Sequence, residues 1–200
     1  MMKHNIKTDA ALLSLLLMLF LICSPASLSF GQQNPQGNLS TQDKQVIAAF
    51  EKSVKDYVAL RERLEEKMPK LPEKSTPEQI EAHKAAFENT VRTARGGAKQ
   101  GDIFTAGIAG HIRVAIRDEF KGKDRQELRK MVLEADTKGV PLRVNYPYPD
   151  NKELVEMPPT LLLRLPQLPK QVRYRFVNRH MLLVDRENGL IVDYMLDALP

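Results

Sequence analysis

Chemistry needs groups that can ligate a metal, move a proton or attack a carbon, and here those groups are scattered. Histidine comes first. Apart from His4 the chain has His83, His111 and His180. No two stand four residues apart and none adjoins a cysteine, so the spacing of a helix-borne imidazole site is missing. Three separated imidazoles could still converge in space on zinc or nickel. Otherwise each is a surface or half-buried side chain, and the sequence predicts no metal site and no cofactor. Carboxylates come in pairs: Asp118-Glu119, Asp185 with Glu187, and Asp193 with Asp197. A glycosidase needs two of them about 5–10 Å apart across a cleft, with aromatic platforms, and this chain has no tryptophan. Asp185 and Asp193 are better placed to pair across a sheet with Arg173 and Arg175. No serine follows Ser75, there is no G-x-S-x-G elbow, and Thr105, Thr137 and Thr160 have no recognisable catalytic setting. "GGAKQGD" has neither of the glycine spacings that cradle a phosphate. No catalytic residue is predicted.

The strongest positive feature is basic. Arg113, Arg117 and Lys121 recur at four-residue steps, with Lys123 and Arg125 just beyond. On a helix they face away from Ile112 and Ile116. Such a stripe suits an anionic ligand, for instance a lipid headgroup or a wall polymer. A solvated helix face is the plain alternative.

These residues must be held by something, and the first half of the chain reads as helices. Ser40 or Thr41 can cap a helix whose stripe is Ile47, Phe50, Val54, Tyr57 and Leu64, ended by Pro69. "TPEQ" sets a cap at Thr76, proline at the first helical position and a capping box through Gln79. Ile80, Phe87 and Val91 follow as its buried face, and Gly96-Gly97 stops it. The short Pro-rich turn between these helices predicts an antiparallel pair. A third helix after Asp102 buries Ile108, Ile112, Ala115 and Ile116, with Phe104 and Phe120 at its ends. Gly107 and Gly110 in it suggest close approach of a neighbour. A fourth, about 124–138, buries Leu128, Met131, Val132 and Ala135, and Gly139 closes it.

Beyond Gly139 the texture changes, because most of the 13 prolines lie there and long helices are disfavoured. "VPLRVNY" reads as a strand and "PDN" as a turn. "PPTLLLRLPQLP" reads as one or two helical turns, with Leu161, Leu162, Leu163, Leu165 and Leu168 plugging the gap between helices and sheet. Three strands follow, separated by tight turns at Asn178-Arg179 and Asn188-Gly189. Alternation groups Tyr174, Phe176, Leu182, Val184, Leu190, Val192 and Tyr194 on one apolar face. The other carries Arg173, Arg175, Asp185 and Asp193 among Val177, Met181, Leu183 and Ile191.

The first residues have a different purpose. Lys3 and Lys7 precede the apolar run Ala10 to Ile22, and small residues follow. That is the pattern of a secretory signal peptide, and the run falls short of the roughly 20 residues of a membrane span. The lone cysteine, Cys23, lies at the end of the run, directly after Ile22. Cleavage after Ala26 leaves no thiol and no disulfide. The organisation expected is a signal peptide at 1–26, a flexible mature N-terminus at 27–40, a helical region at 41–139, and a Pro-rich unit at 140–200 forming one domain with the helices. The balance of 30 basic and 25 acidic side chains is a mild excess, far from the dense positive stripe of a nucleic-acid binder.

From about Asp102 onward the chain resembles a group of uncharacterised exported bacterial proteins. The residues that carry this are "GDIFT", "PLRVN", "PPTLLLRLPQLP", "YRFV", "LLVD", "LIVDYM" and "DALP". The resemblance implies export and a C-terminal half that forms a unit, and no activity. A weaker one, over Tyr174 to Leu196, is to the C-terminal hairpin of the periplasmic nickel/cobalt-homeostasis family. Those proteins are His-rich before that hairpin, and this chain has no such tract.

The expectation is an α+β protein, with four helices packed on a small antiparallel meander. It is expected to be exported, to the periplasm or the medium, as a non-catalytic interaction or accessory protein of the cell envelope. Its partner would be a protein or an anionic envelope component, not nucleic acid, and no span would remain after cleavage. The alternative is a metal-binding protein or enzyme whose site assembles only in three dimensions. Cleavage is expected between Ala26 and Gln32. The intact mass of protein from the envelope fraction checks it, and a mass that retains Leu12 to Ile22 contradicts it.

Overall fold

The computed structural model describes residues 39–121, 126–135, 137, 139–153 and 155–199, with Leu128 by its backbone alone. The expected signal peptide and most of the expected flexible N-terminus lie outside these residues, as do Lys123 and Arg125 of the basic cluster. The fold is α+β, and the described residues form one compact unit.

Ser40 caps α1 (Thr41–Glu65), its hydroxyl accepting from the Asp43 N–H. Thr76 and Gln79 close a capping box on α2 (Pro77–Ala94). Both caps satisfy backbone donors that a helix start leaves unpaired. α3 (Ala106–Glu119) and α4 (Gln126–Glu134) follow. Gly107 lets α3 come close to α1, because a Cβ there would meet Val46 at 3.2 Å. Gly110 faces open space, so only one of the two glycines reports close approach.

The sheet has four strands rather than three, in the order β1 (Val155–Glu156), β2 (Val172–Val177), β3 (His180–Asp185), β4 (Ile191–Met195). All neighbours are antiparallel. Between β1 and β2 lies the single turn α5 (Pro159–Leu162). "VPLRVNY" is not a strand. Pro141 and the left-handed Asn145 (φ 65°) interrupt it, and Pro147 follows directly. It runs as a strap along the outer edge of β4, held by Asn145 N–H to Ile191 O, Ile191 N–H to Tyr146 O and Tyr148 N–H to Gly189 O.

The two faces of the sheet differ from the alternation expected for them. The two-residue turn Asn178-Arg179 pairs Val177 with His180, so Phe176 stands opposite Met181 and Tyr174 opposite Leu183. Met181 and Leu183 therefore share the main core with Tyr174 and Phe176. Leu182, Val184 and Ile191 form a second cluster on the far face, covered by Tyr148 and flanked by Val140, Leu142 and Tyr194. β4 carries one extra residue, Val192, because Leu183 and Val184 pair with Asp193 and Ile191. The bulge returns Val192 to the main core.

In the main core Phe50 stacks on Phe104 and Tyr174, and Phe120 meets Phe176 edge-on. Leu161 and Leu165 plug it, as expected, but Leu162 and Leu163 face solvent. Ile80 and Met131 are likewise exposed, while Phe87, Val91 and Val132 are buried. Each helix thus buries a narrower stripe than its apolar content suggests.

Phe176 has no exposed surface. Phe176→Ala is expected to cost about 3–5 kcal/mol, the range for deleting a buried aromatic ring, read as a lower denaturant midpoint with an unchanged slope.

Candidate functional site

The carboxylates singled out in the sequence are the first to place, and two of them are structural. Asp185 and Asp193 are fully buried. Neither pairs with Arg173 or Arg175. Asp185 instead accepts from Tyr57 Oη at 2.9 Å and Arg61 Nε at 2.8 Å through one oxygen. Its other oxygen takes the N–H groups of Glu187 and Asn188 at 3.0 and 3.3 Å. Arg61 also bonds Glu65 and Glu187 and lies over the Phe87 ring. Burial opposes the charge on its guanidinium, but Asp185, Glu65 and Glu187 outweigh that and raise its pKa. Burial, then the Asp185 charge, keeps the Tyr57 phenol protonated far beyond its usual range. Asp193 takes four backbone N–H groups, from Gly101, Ile103, Phe104 and Tyr194, at 2.7–2.8 Å. It fixes the loop that leads into α3. A carboxylate with four donors has no lone pair left for a substrate.

Arg61 and Arg95 were not picked out in the sequence, although a signal existed. Val54, Tyr57, Val58 and Arg61 continue one helical face, as do Phe87, Val91 and Arg95. A cation at the end of a buried stripe requires an internal partner. Arg95 finds the Asn145 side chain, the Val192 carbonyl and the face of Tyr57.

The three histidines are dispersed. His83 Nε2 lies 3.1 Å from Pro69 O, His111 Nδ1 lies 3.4 Å from Asp43, and His180 Nδ1 accepts from Asp197 N–H. Among the described residues no group of three or more histidines, cysteines and carboxylates is arranged to hold a metal. An acidic cleft of about 510 Å³ contains Glu62, Glu65, Glu66, Glu187 and His83, and Glu65 and Glu187 there already neutralise Arg61. Thr160 Oγ1 donates to Glu119 Oε1 at 2.5 Å, which joins α5 to α3.

The basic stripe is only partly available. Arg113 donates to the carbonyls of Leu196 and Asp197, holding the C-terminal segment. Lys121 pairs with Asp118 at 2.8 Å. Arg117 is exposed and forms no ion pair among the described residues. The Asp118 carboxyl is held below its usual range by the Lys121 hydrogen bond and then by the charges of Lys121, Arg117 and Arg164. Arg164 was not expected here. It comes from the segment after α5, which packs on α3.

The stripe therefore belongs to a corner built from α3 and α5. A groove of about 330 Å³ runs along it, between Ile47 and Val114 on one side and Leu163 and Pro166 on the other. Val114, Leu162 and Leu163 stand out of the surface, 46, 45 and 74% exposed. Arg164 and Asp118 line the groove, and Arg113, Arg117 and Lys121 follow along the same helix and its end, Lys121 on Asp118. An apolar ridge ringed by cations can lie on an anionic surface, the cations drawing it in and the ridge entering the apolar layer.

Asp185→Ala is expected to cost about 3–5 kcal/mol, the range for leaving one half of a buried pair unpartnered. The thermal midpoint checks it. Replacing Asp197, which is exposed, is expected to leave that midpoint unchanged.

Comparison with known proteins finds no matching family model, no matching curated protein and no matching solved structure.

Proposed function

We propose that this is an exported, non-catalytic accessory protein of the cell envelope that rests on an anionic lipid surface through the α3–α5 corner. The observation that carries the reading is the corner itself, where exposed Val114 and Leu163 share a groove with Arg164, exposed Leu162 stands next to Leu163, and exposed Arg117 lies one helical turn beyond Val114. Such a surface is costly in water without an occupant, and its charge matches an anionic headgroup layer. The N-terminal pattern of a signal peptide supports a place outside the cytoplasm, and the resemblance to exported bacterial proteins supports the same place. Association would be peripheral, since among the described residues no helix is long and apolar enough to cross a membrane. The non-catalytic reading is supported by Asp185 and Asp193, whose oxygens are all engaged in holding the fold.

Each cation near an anionic bilayer contributes about 1 kcal/mol. Changing Arg117 and Lys121 to Gln is therefore expected to weaken co-sedimentation with phosphatidylglycerol vesicles by more than tenfold at low salt. Arg113 is left in place because it holds the C-terminal segment. Leu163→Glu is expected to abolish binding without lowering the thermal midpoint. Phosphatidylcholine vesicles are expected to retain neither protein. Wild-type retention by the Leu163→Glu variant, or equal binding to both lipids, rules the corner out as a lipid surface.

A further inference from the structure

Beside the corner, on the other side of Leu162 and Pro166, lies a second cleft of about 300 Å³ that faces β2. Four cations line it: Lys170, Arg173, Arg175 and Arg186. One carboxylate answers them, since Arg175 Nη2 meets Glu156 Oε1 at 2.9 Å. Glu156 itself is largely in solvent, whereas the Arg175 side chain is 11% exposed. Among the described residues the remaining three form no ion pair. Arg186 spends one N–H on the Val172 carbonyl, in a long bond of 3.4 Å. Arg173 Nε is buried and has no hydrogen-bond partner among the described residues. Burial, and then the charges of Arg173 and Arg186, press the Arg175 pKa down against the pull of Glu156.

The fold accounts for the crowding by position alone. Arg173 and Arg175 leave β2 on the side opposite Tyr174, and Arg186 follows β3 directly, where its N–H bonds Gln171 O. Antiparallel pairing therefore brings all three to one edge. Nothing in the core needs three cations there. A buried N–H without a partner costs roughly 1–3 kcal/mol, and like charges in contact add to that. An anion entering the cleft would relieve both. Guanidinium groups take phosphate or carboxylate oxygens in paired bonds. Three uncompensated cations favour a doubly charged phosphomonoester over a singly charged carboxylate. The wall opposite is apolar, formed by Leu162, Pro166 and Leu168, so the phosphate arrives attached to an apolar body.

We infer that the cleft of Lys170, Arg173, Arg175 and Arg186 seats the phosphomonoester headgroup of one amphiphilic molecule. The choice of an amphiphile rests on the proposed attachment to lipid, since Leu162 belongs to both the exposed ridge and the cleft wall.

The test is calorimetric titration of the purified protein with phosphatidic acid carrying six-carbon chains, below its micelle concentration. Phosphatidylcholine of the same chain length and inorganic phosphate are the other arms. The phosphatidic acid is expected to bind one to one, inorganic phosphate at least tenfold more weakly, and the phosphatidylcholine not at all. Arg173→Gln with Arg186→Gln is expected to weaken phosphatidic acid at least tenfold. If that variant fails to fold, Lys170→Glu with Arg186→Glu gives the same reading, since both side chains are exposed. Leu163→Glu is expected to lose vesicles and keep the soluble lipid, which separates this cleft from the corner. No heat with phosphatidic acid, or undiminished binding by the double variants, overturns the site. Inorganic phosphate binding as tightly as the lipid overturns the amphiphile.

Discussion

The buried Asp185 carboxylate is the constraint that joins the two halves of the molecule. It sits at the end of β3, yet two of its four donors come from Tyr57 and Arg61 on α1, more than a hundred residues earlier. Taking a carboxylate and a guanidinium out of water is expensive, and is offset only when the remaining donors and acceptors are matched. Here they are: Arg61 divides its N–H groups among Asp185, Glu65 and Glu187. The pair selects one arrangement. Slipping β3 by one residue would turn Asp185 to the far face, towards Ile191 and Tyr148, drive Leu182 and Val184 off that face, and leave Arg61 alone. Asp193 does the same for the loop before α3, with backbone amides in place of a cation. The meander therefore acts as a clamp, and its acidic residues are the jaws.

Local structure was readable wherever it depends on neighbours in sequence. Ser40, the Thr76–Gln79 box, the proline-started α5 and the two hairpin turns all act within four residues, and all are present. The faces of the sheet were misread because alternation says only which residues of one strand belong together. The register between strands comes from the turn. A two-residue loop at Asn178-Arg179 pairs 177 with 180, which puts even residues of β2 opposite odd residues of β3. That information was in the turn itself. The partners of Asp185 and Asp193 were legible only in part. Arg61 stood out of place in an apolar stripe, whereas the amides that hold Asp193 carry no side-chain signature. The candidate corner was half visible, since Arg113, Arg117 and Lys121 follow from helical spacing. Arg164 reaches them through a tertiary contact that spacing does not describe.

α5 shows why the exposed leucines require an explanation outside the fold. One helical turn is not stable by itself, because the first turn fixes several residues for a single hydrogen bond. α5 exists because Pro158 and Pro159 preset its start and Leu161 and Leu165 fasten it to the core. Leu162 and Leu163 take no part in that fastening. A polar residue at either position would keep the backbone bonds from Leu162 N–H and Leu163 N–H to Pro158 O and Pro159 O, and would be better solvated. The core therefore accounts for Leu161 and Leu165 and leaves Leu162 and Leu163 unaccounted for. The same holds for Arg173, whose buried Nε serves no neighbour among the described residues. Apolar groups turned outward and a buried guanidinium nitrogen without a partner among the described residues lie on two sides of one proline-bounded turn. Each is unfavourable in the isolated chain, and each is relieved by an amphiphile with its charge in the cleft and its apolar part along the ridge.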